Sequence, residues 1–287
     1  MEKLKFDDLE EKDHVYSTVT KKFIPSPIKI DYVKKTYKFA YDMTFGEKGE
    51  HRKNREKSLD DRNIKQIFLD AFEGKLAEFC FYNSYISFND INNISPVDVN
   101  CYKKNKWDEV DFITKKNGVD KYIGIKSSKE KAKVLLLETS SWIKGGAYKY
   151  GKDNKPCKYD AIVFVRIKYN FDKKDDPHLE DLLNSMSDLF KSKEDDNTYK
   201  IKIETFNKEL EKILLSKSWF YDIPGFITNE DLCFIIDNNK IMKQGYYFNQ
   251  KVKKYIIKAD NYYIQIKNLR PWITNAKRPE SAPQSSE

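Results

Sequence analysis

The sequence has few of the residues that build metal clusters, disulfide frameworks or membrane spans. Its 287 residues contain four cysteines and three histidines, all far apart, with no CxxC pair. This scarcity argues against a zinc site and against a cysteine–histidine nucleophile. No apolar run approaches the roughly 20 residues that span a bilayer, and the charged residues 1–15 lack the apolar stretch of a secretory signal. We therefore predict a cytoplasmic protein with no membrane partner.

The sequence divides into three parts by composition and periodicity. Residues 1–61 are polar and weakly periodic, which predicts an N-terminal arm or small helical lobe. Residues 62–175 carry the strongest helix and strand patterns, so we expect the core domain there. Residues 176–287 predict helices followed by a basic strand pair around residues 259–261.

The patterns within 62–175 predict an α/β fold. RNIKQIFLDAFEGKLAEFCFYNSYI, from Arg62, has apolar residues at helical spacing. WDEVDFITKK and KYIGIKSS flank an Asn-Gly pair, which indicates a hairpin. YDAIVFVRIKY has a continuous apolar centre, typical of a strand that is covered on both faces. This order of elements predicts a central mixed sheet flanked by helices.

Asp111 and Lys126 are the residues of this hairpin that could carry chemistry. Asp111 lies within the first predicted strand, and the hairpin register can bring it near Lys126 on the second. An interior carboxylate binds Mg²⁺ well, with water and substrate phosphate as further ligands. A neighbouring ammonium can orient a water molecule or stabilise phosphate charge. Glu78, which follows the small residues Gly74 and Ala77 on the predicted helix, could complete such a site for phosphodiester hydrolysis.

The segments GKLAEFCFYNSY, WDEVDFI and YIGIKSSK together resemble the PD-(D/E)XK nuclease superfamily, type II restriction endonucleases in particular. The resemblance covers about residues 64–169. It implies a three-layer α/β/α restriction-endonuclease-like core, with Asp111 as the first motif acid, Lys126 as the motif lysine and Glu78 as an auxiliary acid. It further implies sequence-specific, Mg²⁺-dependent hydrolysis of double-stranded DNA by a homodimer.

Gly124 departs from the family pattern, which has an acid two residues before the lysine. Glycine has no side chain to bind a metal, and three explanations stay open. The acid has migrated to Glu138 in the next apolar segment, which would make Asp111, Glu138 and Glu78 the metal ligands. Alternatively, Gly124 replaces a glutamate of the active enzyme, which would make this chain an inactivated variant. The third explanation is a non-catalytic, DNA-binding relative.

The basic residues concentrate near the C-terminus. Residues 240–278 hold ten lysines and arginines against the single acid Asp260, with tyrosines between them, in a chain of net charge +8. Such a segment suits contact with DNA phosphates. The candidate DNA-binding residues are Lys251, Lys253, Lys254, Lys258, Lys267 and Arg270, together with Arg52 and Arg55 in the basic stretch 48–57. A repair or recombination nuclease that recognises DNA structure is the alternative to a restriction enzyme.

Overall fold

The computed structural model describes residues 6–12, 15–18, 21–45, 64–101, 110–151, 155–169, 181–186, 189, 196–247 and 256–272. The helices are α1 (Ile30–Phe45), α2 (Ile64–Ile86), α3 (Asp196–Leu215) and α4 (Asn229–Asp237). The strands are β1 (Glu10–Lys12), β2 (Val15–Ser17), β3 (Ser26–Pro27), β4 (Phe112–Lys116), β5 (Val119–Lys129), β6 (Val134–Glu138), β7 (Trp142–Ile143), β8 (Ala147–Tyr148), β9 (Cys157–Lys158), β10 (Ala161–Tyr169), β11 (Trp219–Thr228), β12 (Ile241–Met242) and β13 (Asn261–Gln265).

The central sheet has five strands in the order β3-β11-β10-β5-β4. β5 and β10 are parallel, and the other neighbouring strands in this sheet are antiparallel. The sheet is therefore mixed, which confirms the predicted α/β class. β4 and β5 form the predicted hairpin through Asn117 and Gly118, whose φ angles of 53° and 76° match a type I′ turn.

Alternating side chains of the central strands pack into two hydrophobic clusters, one on each face of the sheet. On β10, Val163 and Val165 face a cluster that includes side chains of α1, α2 and α3. Ile162 and Phe164 face a second cluster, to which α4, β6 and β13 contribute. This period of two explains the continuous apolar centre of β10, because both faces of this strand are buried.

Residues outside 62–175 also contribute to the hydrophobic cluster around α2 and to the central sheet. α1 lies within the predicted N-terminal part, yet its Val33 and Ala40 are fully buried in the same cluster as α2. β11 lies within the predicted C-terminal part but pairs with β10 in the central sheet. Thr228 is the N-cap of α4, and its side chain forms a capping box with Asp231.

The sequence predicted a strand pair around residues 259–261, and the observed partners differ. β13 pairs with β12 on one side and with β6 on the other. β6 lies in this second, three-stranded sheet, where its hydrogen-bonding partner β13 comes more than a hundred residues later in the chain. Within the described ranges, no helix combines the length and the apolar character that crossing a membrane requires.

Candidate functional site

The β4–β5 hairpin brings Asp111 next to the segment that contains Gly124 and Lys126. Phe112 pairs with Ile123, so Asp111, one residue before β4, continues this register beside Gly124. The backbone amide of Ile125 donates a hydrogen bond of 2.6 Å to Asp111 Oδ2. The Asp111 carboxylate is thus held against β5 between the glycine and the lysine.

Gly124 is covered by the ring of Tyr159. A Cβ atom placed on Gly124 would lie 3.0 Å from Cδ1 and 3.1 Å from Cε1 of this ring. The ring is positioned by its neighbour Asp160, whose carboxylate accepts a 2.9 Å bond from the Tyr122 amide and whose own amide donates a 2.7 Å bond to the Tyr122 carbonyl. An aromatic ring therefore occupies the space next to the position where the family carries its acid.

Lys126 lies next to a group of three neighbouring aromatic rings, those of Trp142, Tyr148 and Tyr159. Its ammonium is 5.7 Å from the ring centroid of Tyr148, within the range of a cation–π interaction. The Tyr148 ring is 5.3 Å from Trp142 and 6.2 Å from Tyr159. Lys126 and Asp111 thus each lie near one of two neighbouring tyrosine rings, Tyr148 and Tyr159.

The Tyr159 hydroxyl stays neutral in this environment. Burial raises the pKa of the Tyr159 phenol well above its usual range, and the negative charge of Asp111 raises it further. Because the phenol does not ionise at neutral pH, Tyr159 contributes no negative charge to the site.

The two other predicted acids have partners of their own. Glu78 Oε2 lies 2.6 Å from the ammonium of Lys75 on the same helix, and this ammonium also lies over the Phe39 ring of α1. Glu138, at the end of β6, accepts a short hydrogen bond from the Ser140 hydroxyl. Across the described ranges, no three histidine, cysteine, aspartate or glutamate side chains form a group that could hold a metal ion.

The donors at Asp111 fit a metal bound through one protein carboxylate. The Ile125 amide donates its hydrogen bond to Oδ2 of Asp111. The other oxygen of this carboxylate, Oδ1, could bind the metal ion. Mg²⁺ is commonly bound by one or two carboxylates, with water and substrate phosphate completing its shell. Gly124 supplies no ligand, so this arrangement lacks the second acid of the family pattern.

The predicted DNA-binding residues fall into three groups. Lys251, Lys253, Lys254, Arg52 and Arg55 lie outside the described residues. Lys258 is exposed. Lys267 and Arg270 are both paired with carboxylates, those of Asp7 and Asp231 respectively.

Lys267 Nζ lies 2.7 Å from Asp7 Oδ2, and Arg270 forms a two-bond ion pair with Asp231 through Nε at 2.6 Å and a terminal nitrogen at 2.7 Å. Burial opposes ionisation of Asp231, but hydrogen bonds from Arg270 and Thr228 outweigh it and hold the pKa of this carboxyl below its usual value. The Arg270 side chain is only 17% exposed, and its partner Asp231 lies in the first turn of α4. Its observed contacts are structural, and its role in DNA binding stays a prediction.

The two tyrosines of the site were not among the residues predicted from the sequence. Tyr159 comes just before β10, and the parallel register pairs Ile162 of β10 with Gly124. Tyr148 lies on β8, which pairs with β7 and β9 in a small separate sheet. In the sequence, Tyr159 is marked only by its position two residues before the buried strand β10. Its proximity to Gly124 depends on the pairing of β10 with β5, which the sequence does not show.

Comparisons of the chain with protein-family models, with curated proteins and with solved structures found no match. The residues of the site and their geometry therefore carry the functional proposal.

Proposed function

We propose that the protein is a metal-dependent endonuclease of double-stranded DNA, with a restriction-endonuclease-like core and the character of a type II restriction enzyme. The observation that carries this proposal is the Asp111 carboxylate, held by the Ile125 amide one residue away from Lys126. An acid and a cation fixed together on a hairpin are the parts that phosphodiester hydrolysis needs. By the family resemblance, the active form would be a homodimer that cuts both strands.

Each residue of the site has a proposed role. Asp111 would hold Mg²⁺, and the bound ion would supply Lewis-acid stabilisation of the phosphate charge. Lys126 would donate hydrogen bonds to the scissile phosphate or to the attacking water. The Tyr148 ring beneath the ammonium restricts where Lys126 can point. Tyr159 would exclude water from the Gly124 side, which strengthens the remaining electrostatic contacts.

Cleavage of supercoiled plasmid and of a DNA of known sequence tests this proposal. We expect discrete fragments with Mg²⁺ or Mn²⁺, and none with EDTA. Asp111→Asn and Lys126→Met should each lower the cleavage rate by about 100-fold or more, because each removes a group that stabilises charge in the transition state. Asp120→Asn is the matched control, because Asp120 is an exposed acid on β5, the strand that also carries Lys126. Intact DNA under all metal conditions would refute an active endonuclease in this chain and leave the inactivated variant and the non-catalytic protein.

Glu138 requires its own experiment, because it is the proposed migrated acid. If it binds the metal, Glu138→Gln should abolish Mg²⁺-dependent cleavage without altering thermal stability. The bond from Ser140 survives this change, since the glutamine amide oxygen still accepts it. A wild-type rate in this variant would eliminate Glu138 as a ligand.

A second candidate function is a non-catalytic DNA-binding protein on the same fold. It is favoured by the Tyr159 ring that covers Gly124. This candidate predicts DNA binding without cleavage in either metal. Specific cutting by the wild-type chain would rule it out.

A further inference from the structure

Residues 6–9 lie on part of the basic C-terminal region, and their two aspartates contact its cations. Asp7 Oδ2 lies 2.7 Å from Lys267 Nζ and accepts a 3.2 Å hydrogen bond from the Asn268 side-chain amide. Asp8 Oδ1 lies 2.7 Å from Lys240 Nζ. We call Lys240, Lys267 and Asn268 the basic face. Each of these three side chains already contacts a carboxylate of Asp7 or Asp8.

Apolar contacts hold residues 6–9 in place on this face. The Phe6 ring packs 5.5 Å from Tyr263 and 6.1 Å from Phe234, and the Lys240 ammonium lies 5.2 Å from its centroid. The Tyr263 hydroxyl accepts a 3.2 Å bond from the Leu9 amide. The segment is thus anchored by an aromatic residue, while the aspartates present their charges to the lysines.

The charged contacts of this segment are exposed enough for another anion to replace them. The Asp7 and Asp8 side chains are 58% and 68% exposed, whereas their partners Lys267 and Lys240 are 36% and 23% exposed. Exposed ion pairs contribute little to stability, because water and salt screen them. A DNA phosphodiester is also a monoanion with two accepting oxygens, so it can take the same ammonium and amide donors.

We propose that the basic face is a phosphate-contacting surface for DNA, and that Asp7 and Asp8 occupy it until DNA displaces them. This inference rests on DNA being the partner, as in the proposed function. The sequence around the two residues supports competition with a polyanion, since DDLEEKD at residues 7–13 holds five acids and one lysine. The N-terminal segment would then weaken binding to non-specific DNA, which offers only phosphates.

The test is the affinity for a labelled DNA duplex, measured by fluorescence anisotropy in EDTA so that no cleavage occurs. The variant Asp7→Asn with Asp8→Asn keeps the size and one accepting oxygen of each side chain but removes their charges. Asp120→Asn with Glu204→Gln is the matched control, because it removes two negative charges from exposed positions on β5 and α3. Thermal unfolding of each variant establishes that it is folded.

We expect the Asp7/Asp8 variant to bind DNA about 2- to 30-fold more tightly than the control variant at low salt, the range for two exposed ion pairs. This gain should shrink as salt rises, because salt already weakens the pairs that DNA must break. Adding Lys240→Gln and Lys267→Gln should remove most of the gain, and the same two changes should weaken binding less in the wild-type chain.

The outcomes separate this inference from the proposed function. If the Asp7/Asp8 variant and its control bind DNA equally at every salt concentration, competition by residues 6–9 is refuted while DNA binding stands. If the gain persists after the lysine substitutions, the basic face is not where DNA contacts the protein. If no variant binds DNA, both the inference and the proposed function fail.

Discussion

The Tyr159 ring lies against Gly124 at the distance where an added Cβ would already touch it. We predict that Gly124→Glu destabilises the fold by about 1–3 kcal/mol, the usual cost of forcing atoms into packed space. Tyr159→Ala should cost more on its own, but the two changes together should cost less than their sum. Urea unfolding of the four chains measures this coupling, and additive costs would show that the ring moves aside freely.

The same pair of variants tests one of the three explanations for Gly124, that this chain is an inactivated variant. With the ring removed, a glutamate at position 124 gains room beside Asp111. If the natural active form carries an acid there, the double variant should cleave DNA faster than Tyr159→Ala alone. An equal rate would count against an inactivated enzyme.

Glu73 on α2 gives stability a specific dependence on pH. Burial raises the pKa of the Glu73 carboxyl, Lys129 partly offsets this, and Asp70 adds to it. The folded chain therefore holds this proton more tightly than the unfolded chain, whose glutamates titrate at about pH 4.3. The favourable contribution is complete below that pH and is lost as the pH rises through the folded value.

As the pH rises from about 4 to about 7, we predict that the free energy of unfolding falls less in Glu73→Gln than in the wild type. The difference should be about 1.4 kcal/mol for each unit by which folding raises the pKa of Glu73. Urea unfolding across this range checks it. Glu204→Gln, an exposed change on α3, is the control. Parallel pH curves for wild type and Glu73→Gln would contradict the prediction.

At the scale of secondary-structure elements, the β4–β5 turn sets the position of Asp111. Asn117 and Gly118 both adopt positive φ angles, 53° and 76°. We predict that Gly118→Val costs about 1–3 kcal/mol, because a β-branched residue is strained in this conformation. Asn117→Gly should be nearly neutral. Thermal unfolding compares the two, and equal stability of both variants would argue against a type I′ turn.

Local signals in the sequence predicted the elements that depend on neighbouring residues. The Asn-Gly pair predicted the hairpin, and Thr228 with an acid three residues later is the sequence pattern of the capping box that starts α4. The proximity of Asp111 to β5 follows from that hairpin. These features were predictable because the interacting residues are close in sequence.

Contacts between distant segments could not be predicted in the same way. The Tyr159 ring reaches Gly124 because β5 and β10 pair in parallel, and nothing local specifies this pairing. The basic segment contains one acid in sequence, yet its Lys240 and Lys267 meet Asp8 and Asp7 from the other end of the chain. Charge counted along a sequence therefore overstated the unpaired charge on this surface.

At the scale of the whole molecule, Arg166 connects three parts of the chain. Its fully buried guanidinium bonds to both carboxylate oxygens of Asp222 on β11 and to the backbone carbonyls of Lys21, Lys22 and Glu130. This arrangement uses the planar geometry of arginine, which lysine could not reproduce.

We predict that Asp222→Ala destabilises the protein by about 3–5 kcal/mol, because it leaves a buried guanidinium without its counter-charge. Arg166→Met with Asp222→Leu should recover only part of this loss, since the three carbonyls would lose their donors. Urea unfolding measures both. A cost below about 1 kcal/mol for Asp222→Ala would show that the pair adds little to stability.

The position of β11 between β3 and β10 has a consequence for biosynthesis. Residues 21–27 leave the ribosome well before their partners on β11, including Asp222, which are translated about two hundred residues later. The nascent chain must keep these residues, and the open edge of β10, without partners until then. Unpaired strand edges promote aggregation. Ribosomes that stall before β11 would therefore release chains that need chaperones, and a chain ending at residue 175 should not fold on its own.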